Sequence, residues 1–231
     1  MNIQILQLLD GAKKAKGLTV VIDVFRAFSM EAYMMARGAK KIIPLGDCDL
    51  AYKMKEESPD MILAGERGGK ICEGFDTGNS PWELSKINVE GKTVIHTTSA
   101  GTQGIANATG ADEIIGGSLV TAKAIAEYIK RSGAKDVSLV CMGLEAKAET
   151  EEDTLCAEYI KSMLLGTEID LEAGIENLKV TSGAKFFDKA QNDVFPENDF
   201  YMCTEVDKFD FVLRYVKGED GIGYMEKYTL K

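Results

Sequence analysis

The sequence predicts an α/β fold: a mainly parallel sheet with flanking helices, followed by an aromatic-rich C-terminal extension. Three observations carry this expectation. Short β-branched runs alternate with segments of helical period, and the first run, Leu18 to Val24, is almost continuously apolar, as a doubly covered strand requires. Gly-Ala recurs between helical segment and strand at Gly38-Ala39, Gly110-Ala111 and Gly133-Ala134, which reads as one αβ connection reused. Of the 18 aromatic residues, 10 fall within 186–231, where the helical pattern fades into strand-like pieces such as Phe209 to Val216.

The elements follow in order. After the Leu18–Val24 strand, Ser29 to Arg37 has helical period and stops at Gly38, a residue suited to the left-handed cap. Lys41–Leu45 is the next strand, Leu50–Glu57 a helix and Met61–Ala64 a strand. An irregular, glycine-rich segment precedes a strand at Thr93–His96 and a short helix at Gly101–Ala108. A strand at Glu113–Ile115, a helix at Thr121–Arg131, a buried strand at Val137–Met142 and a long helix at Glu151–Leu165 complete the pattern. No Pro/Ser-rich linker divides the chain, so 1–231 reads as a single domain, with 186–231 a cap or an edge extension on the sheet.

Composition narrows the partners. The 231 residues carry a net charge of −10, which argues against nucleic acid and against an anionic membrane surface. It leaves room for a small anionic substrate, which needs only local positive charge. One histidine, His96, excludes multi-histidine zinc sites and reads as a packed, hydrogen-bonded residue. The five cysteines form no CxxC pair and read as reduced thiols of a cytoplasmic protein. No targeting pattern opens the chain, and no apolar run has the length of a membrane span.

Ligands of open α/β sheets bind beyond the carboxyl ends of the strands, and four polar clusters fall there. At the end of the first strand, Asp23 and Arg26 are either a solvated ion pair or, because Asp23 interrupts an apolar run, groups in need of an internal partner. The segment Gly65–Glu83 is the most distinctive, with five glycines between 65 and 78, the acids Glu66 and Asp76, and the cations Arg67 and Lys70. Dense glycines let backbone N–H groups converge on an anion. Thr97-Thr98-Ser99-Ala100-Gly101-Thr102 is an anion cradle or an ordinary helix cap. Glu151-Glu152-Asp153 would complement a helix dipole. Arginine is scarce, five against 22 lysines, and two of the five (Arg26, Arg67) lie in these clusters. Carboxylates, arginine forks and a glycine loop together suggest a divalent cation beside a phosphorylated acid. The P-loop, the dinucleotide fingerprint, the cysteine-phosphatase loop and the GxSxG elbow are all absent.

These residues resemble the 2-phosphosulfolactate phosphatase family of coenzyme M biosynthesis. The likeness rests on Asp23-Val24-Phe25-Arg26-Ala27, Gly65-Glu66-Arg67-Gly68-Gly69, Gly74-Phe75-Asp76, Gly78-Asn79-Ser80-Pro81, Thr97-Thr98, Gly101-Thr102 and Glu152-Asp153. It implies a Mg²⁺-dependent hydrolysis of (2R)-2-phospho-3-sulfolactate to 3-sulfolactate and phosphate. In that reading Asp23, Glu66, Asp76 and Asp153 are the metal-ligand candidates, while Arg26 and Arg67 neutralise phosphate and sulfonate. Gly68, Gly69, Asn79, Ser80, Thr97, Thr98, Gly101 and Thr102 would hold the substrate oxygens. Attack by a metal-activated water and a phosphorylated Asp23 both remain open. The alternatives are a phosphatase for another phosphorylated 2-hydroxy acid and a non-catalytic phosphometabolite-binding protein. The aromatic tail could serve a homo-oligomer interface or pack on its own sheet.

Overall fold

In the computed structural model, which describes residues 1–219 and 221–230, strands and helices alternate through most of the chain. It opens with β1 (Asn2–Gln7), α1 (Leu8–Lys14), β2 (Gly17–Ile22), α2 (Ala27–Ala36), β3 (Lys41–Pro44) and α3 (Cys48–Glu57). Next come β4 (Ile62–Arg67), β5 (Lys70–Ile71), β6 (Thr93–Thr97), α4 (Gly101–Asn107), β7 (Ala111–Gly117) and α5 (Ala122–Ser132). The remainder is β8 (Asp136–Cys141), α6 (Glu151–Leu165), α7 (Leu171–Leu178), α8 (Glu197–Cys203), β9 (Phe211–Lys217) and β10 (Gly223–Thr229).

Local chemistry explains the main elements. Val20, Val21 and Ile22 of β2 are fully buried, consistent with a strand covered on both faces. Helices α5 and α6 end at Gly133 and Gly166, both in the left-handed conformation that stops a helix cheaply only at glycine. Helix α2 has nine of its ten residues buried, so it is an interior helix with no solvent stripe. One of those nine is an acid, Glu31, 1% exposed.

The strand order is β1-β8-β2-β7-β9-β10-β3-β6-β4-β5. Pairing is parallel within β1-β8-β2-β7 and within β3-β6-β4. Between these blocks sits the antiparallel hairpin β9–β10, bonded to β7 on one side and β3 on the other. The mainly parallel α/β expectation therefore holds for the two blocks. The tail, expected as a cap or edge extension, is divided in two. Its last strands occupy the centre of the sheet, whereas α8 and the turns at 184–191 form an aromatic cap of Phe186, Phe200, Phe187 and Phe195 around Phe25. A hairpin pattern cannot declare which edges it will bridge, because that depends on two blocks far away in sequence. The N-terminal β1–α1 pair also joins the fold, with β1 extending the first block beside β8.

No helix among the described residues is long and apolar enough to cross a membrane. All five cysteines are free.

The central position of the hairpin sets an expected stability difference. Leu213 in β9 is 0% exposed and pairs with both Gly116 and Lys227. Leu213→Ala should cost about 2–5 kcal/mol. Ile71→Ala on the outermost strand, at a residue 53% exposed, should stay within about 0.5 kcal/mol. Urea unfolding of both variants checks this, and a mild loss at Leu213 would contradict a central hairpin.

Candidate active site

The carboxyl ends of β2, β4, β6 and β8 meet at one cavity of about 130 Å³. Two of these strands belong to each parallel block, so the cavity straddles the seam that the hairpin closes. From the β2 end come Asp23, Phe25 and Arg26; from β4 and its loop come Glu66, Gly68, Gly69 and Asn79. The β6 end gives Thr98, Ser99 and Ala100, and the β8 end gives Gly143 to Glu145. Glu152 and Asp153 at the start of α6, with Lys185 and Phe195 of the cap, complete the wall.

The acids have distinct tasks. Asp23 is 7% exposed and accepts the Ala27 N–H through Oδ1 at 3.1 Å. Burial, reinforced by the Glu66 and Glu152 charges, raises its pKa to about 6. Gly101 lies so close that a Cβ there would stand 3.2 Å from Asp23 Oδ2, so the absence of a side chain leaves the carboxylate its room. Asp153 is a brace: Oδ1 accepts from Val24 N and Oδ2 from Gly143 N, both at 2.8 Å, tying the β2 and β8 ends to α6. Burial holds the Asp153 carboxyl well above the usual range, and Glu152 and Asp23 push it the same way. Glu66 organises the glycine loop, accepting Gly69 N at 2.7 Å and Ser99 N at 2.9 Å. Gly69 has φ +82° and would place a Cβ 2.5 Å from the Phe195 ring, so this turn admits only glycine. Glu152 is 4% exposed, and its Oε2 is buried without a hydrogen-bond partner.

The positive side rests on Arg26 and Lys185. Arg26 is 4% exposed, with Nη1 bonded to Asp199 Oδ2 at 2.8 Å and to the Val194 carbonyl at 2.9 Å. Nη2 donates to the Gly69 carbonyl at 3.3 Å, and the guanidinium lies 4.9 Å from the Phe195 ring centre. A guanidinium has five N–H groups, so this arrangement leaves two for a ligand. Burial lowers the Lys185 pKa, with the Glu152 charge opposing that shift.

Of the residues singled out in the sequence, Asp23, Arg26, Glu66, Gly68, Gly69, Asn79, Thr98 and Asp153 line the cavity together. Asp76 is not in this wall: its Oδ2 accepts Leu63 N at 2.7 Å and Lys55 Nζ at 3.2 Å, so it fastens the loop alongside β4. Arg67 is exposed and donates to the carbonyls of Glu66 and Gly46, also away from the wall. Ser80 donates to Asp199 Oδ1 at 2.8 Å. Thr97, Gly101 and Thr102 are buried behind the lining, with Thr102 Oγ1 bonded to the Thr98 carbonyl. The sequence reading did not single out Lys185, Phe195 or Asp199. Asp199 is 0% exposed, and its signal was an acid among aromatics between Phe195 and Phe200, the same rule that drew attention to Asp23.

As a metal site the wall offers hard oxygen donors. Asp76 is elsewhere, and Glu66 and Asp153 use both oxygens on backbone N–H groups. Among the described residues no three His, Cys, Asp or Glu side chains converge to hold one ion. Asp23 Oδ2 and Glu152 Oε2 accept no hydrogen bond among the described residues, a donor pair that fits a cation retaining most of its water, as Mg²⁺ does.

The family model described as 2-phosphosulpholactate phosphatase matches residues 3–218. A probable 2-phosphosulfolactate phosphatase of Bacillus subtilis is 31% identical over 214 residues, covering 92% of each chain. A protein of the same name from Caldicellulosiruptor saccharolyticus is 38% identical over 178 residues, 75% of this chain and 72% of its own. Another from Clostridium acetobutylicum is 31% identical over 239 residues, covering 95% of this chain and 99% of its own. Acids and paired cations around one cavity at the strand ends agree with that likeness, and the chain belongs to the 2-phosphosulfolactate phosphatase family, as a phosphoric monoester hydrolase.

Proposed function

We propose that the protein hydrolyses 2-phospho-3-sulfolactate to 3-sulfolactate and phosphate with the help of Mg²⁺. The observation that carries this reading is the composition of the cavity wall, where the buried carboxylates Asp23, Glu66, Glu152 and Asp153 share one small space with Arg26 and Lys185. A substrate with carboxylate, phosphate and sulfonate groups needs both: fixed cations for its anions, and acids that can bind a metal ion.

The chain's residues divide the work. The free N–H groups of Arg26, with Lys185, neutralise anionic oxygens, and the loop held by Glu66 presents backbone N–H groups beside them. Thr98 from the β6 end and Asn79 from the loop add side-chain donors, while the Ser99 hydroxyl donates to Glu66 Oε2. Asp23 and Glu152 would hold Mg²⁺ through their uncommitted oxygens. When bound, the ion supplies Lewis-acid polarisation of the phosphoryl group and a more acidic water. Burial raises the Asp23 pKa to about 6 in the metal-free protein, and a bound cation would lower it again and hold the carboxylate ionised as a ligand. Phe25 and Phe195 limit the water that reaches the site.

Three outcomes check this reading. Phosphate release should be fastest with phosphosulfolactate among phosphosulfolactate, phospholactate, phosphoglycolate and phosphoglycerate, and should stop with EDTA and return with Mg²⁺. Equal rates on all four would remove the sulfonate from the assignment, and full activity in EDTA would remove the metal.

Asp23→Asn should lower kcat by about 10²-fold or more. Asp76→Asn should keep kcat within a few-fold, costing about 1 kcal/mol through the weakened loop bond. The opposite ranking would return the catalytic role to Asp76.

The third outcome follows from the raised carboxyl of Asp23. Folded Asp23 holds its proton to about pH 6, whereas the unfolded group loses it near 3.8. Between those values the folded state binds more protons, so stability falls as pH rises and stays reduced above about 6. A divalent cation offsets that penalty only where the carboxylate is ionised. Mg²⁺ should therefore raise Tm more at pH 7 than at pH 5, and an equal shift at both would contradict ligation by Asp23.

A further inference from the structure

The lone histidine lies in a buried chain of three polar side chains that ends at the cavity. His96 is 0% exposed on β6, in the middle of the second parallel block, paired in register with Pro44 and Ala64. Its Nδ1 is 2.9 Å from Glu31 Oε1, on the interior helix α2. Its Nε2 is 3.2 Å from Asn79 Oδ1, and Asn79 is a wall residue 6% exposed. Glu31 has no other task of this kind, since its Oε2 is buried without a hydrogen-bond partner. Burying an acid and an imidazole inside an apolar helix–sheet layer is costly unless each is satisfied, so the pair calls for a use.

We propose that Glu31 and His96 are positioning residues that fix the Asn79 amide with its NH₂ turned into the cavity, as a donor to an anionic oxygen of the substrate. An asparagine amide has an acceptor end and a donor end, and rotation by half a turn exchanges them. With Oδ1 accepting from His96 Nε2–H, the donor end is the one left for the cavity. Reversed, the amide would present a carbonyl oxygen to an anion and repel it. Oxygens face both ring nitrogens, Glu31 Oε1 at Nδ1 and Asn79 Oδ1 at Nε2, so the proposed arrangement has a proton between Nδ1 and Glu31 as well as one on Nε2, and Glu31 keeps the ring oriented so that Nε2 stays on Asn79. The wall otherwise reads charge mainly through Arg26 and Lys185, so Asn79 contributes direction where those two contribute attraction. This inference rests on the proposed substrate for its biological meaning, yet its geometry can be tested with inorganic phosphate alone.

Because His96 is the only histidine, ¹⁵N labelling of histidine gives a spectrum of this one ring. A protonated Nε2 in the wild-type protein is expected, and a bare Nε2 lone pair would overturn the assigned amide direction. Calorimetry with inorganic phosphate, together with KM for phosphosulfolactate, then reads the variants Asn79→Ala, His96→Gln and Glu31→Gln. Asn79→Ala should weaken phosphate and raise KM by about tenfold or more, as loss of a hydrogen bond to a charged group does, with a smaller change in kcat. His96→Gln should shift KM in the same direction, and the double variant should be no worse than Asn79→Ala alone. Additive losses would show that His96 acts on something other than Asn79 and would overturn the proposal. If His96→Gln does not fold, the isosteric Glu31→Gln is read in its place by the same cycle. Inactivity of the wild type on phosphosulfolactate would count against the substrate assignment, whereas an unchanged phosphate affinity of Asn79→Ala would count against the positioning role.

Discussion

Asp199 holds the site together. Its carboxylate is fully buried and accepts from Arg26 Nη1 at 2.8 Å, Ser80 Oγ at 2.8 Å and Trp82 N at 3.0 Å. Those donors come from the β2 end of one parallel block, from the loop after β5 in the other, and from no single local motif. One acid on the cap therefore fixes the distance between the two halves of the wall. Removing one partner of a buried ion pair is strongly destabilising, about 3–5 kcal/mol, because the other charge is left stranded. Burial raises the Asp199 pKa while the Arg26 charge opposes the rise, the balance expected when an ion pair is bound into a dry interface. The rings of Phe186, Phe187 and Phe200 pack on one another around α8, and the Phe195 ring lies against the Arg26 guanidinium.

The same constraint explains how an acidic chain provides for an anion. Arg26 is neutralised by Asp199 in the free protein, but two of its N–H groups remain directed elsewhere, so it is immobilised without being consumed. Preorganised donors of this kind cost little reorganisation when a ligand arrives. The net charge of −10 is then a poor guide to the cavity, where four buried acids share one small volume with an arginine and a lysine.

Much of this was legible in the residues themselves. The apolar run ending at Asp23 and the glycine loop around Glu66 were found because each breaks a local rule of patterning, whereas Glu152-Asp153 follows the ordinary placement of acids in a helix's first turn. What was not legible depended on direction and distance. Asp76 and Glu66 share one motif, yet Asp76 turns to Leu63 N and Lys55 while Glu66 turns to Gly69 and Ser99. Arg67, next to Glu66 on the same strand, faces away from it, as alternation along a strand demands. Asp199 escaped notice because Arg26, Ser80 and Trp82 lie more than a hundred residues away, and Lys185 because the charges around it, Glu152, Arg26, Asp23 and Asp153, come from two separate stretches of the chain that no spacing rule joins.

The central hairpin has a consequence for how the chain is made. During synthesis both parallel blocks are complete before β9 and β10 leave the ribosome, so the exposed flanks of β7 and β3 must wait for the strands that will join them. Open sheet flanks recruit other strands readily. A nascent or prematurely terminated chain lacking these strands would carry two such flanks in its interior, not one frayed end at its periphery. Aggregation during biogenesis is thus the vulnerability that this topology creates, and quick arrival of residues 211–229 is what contains it.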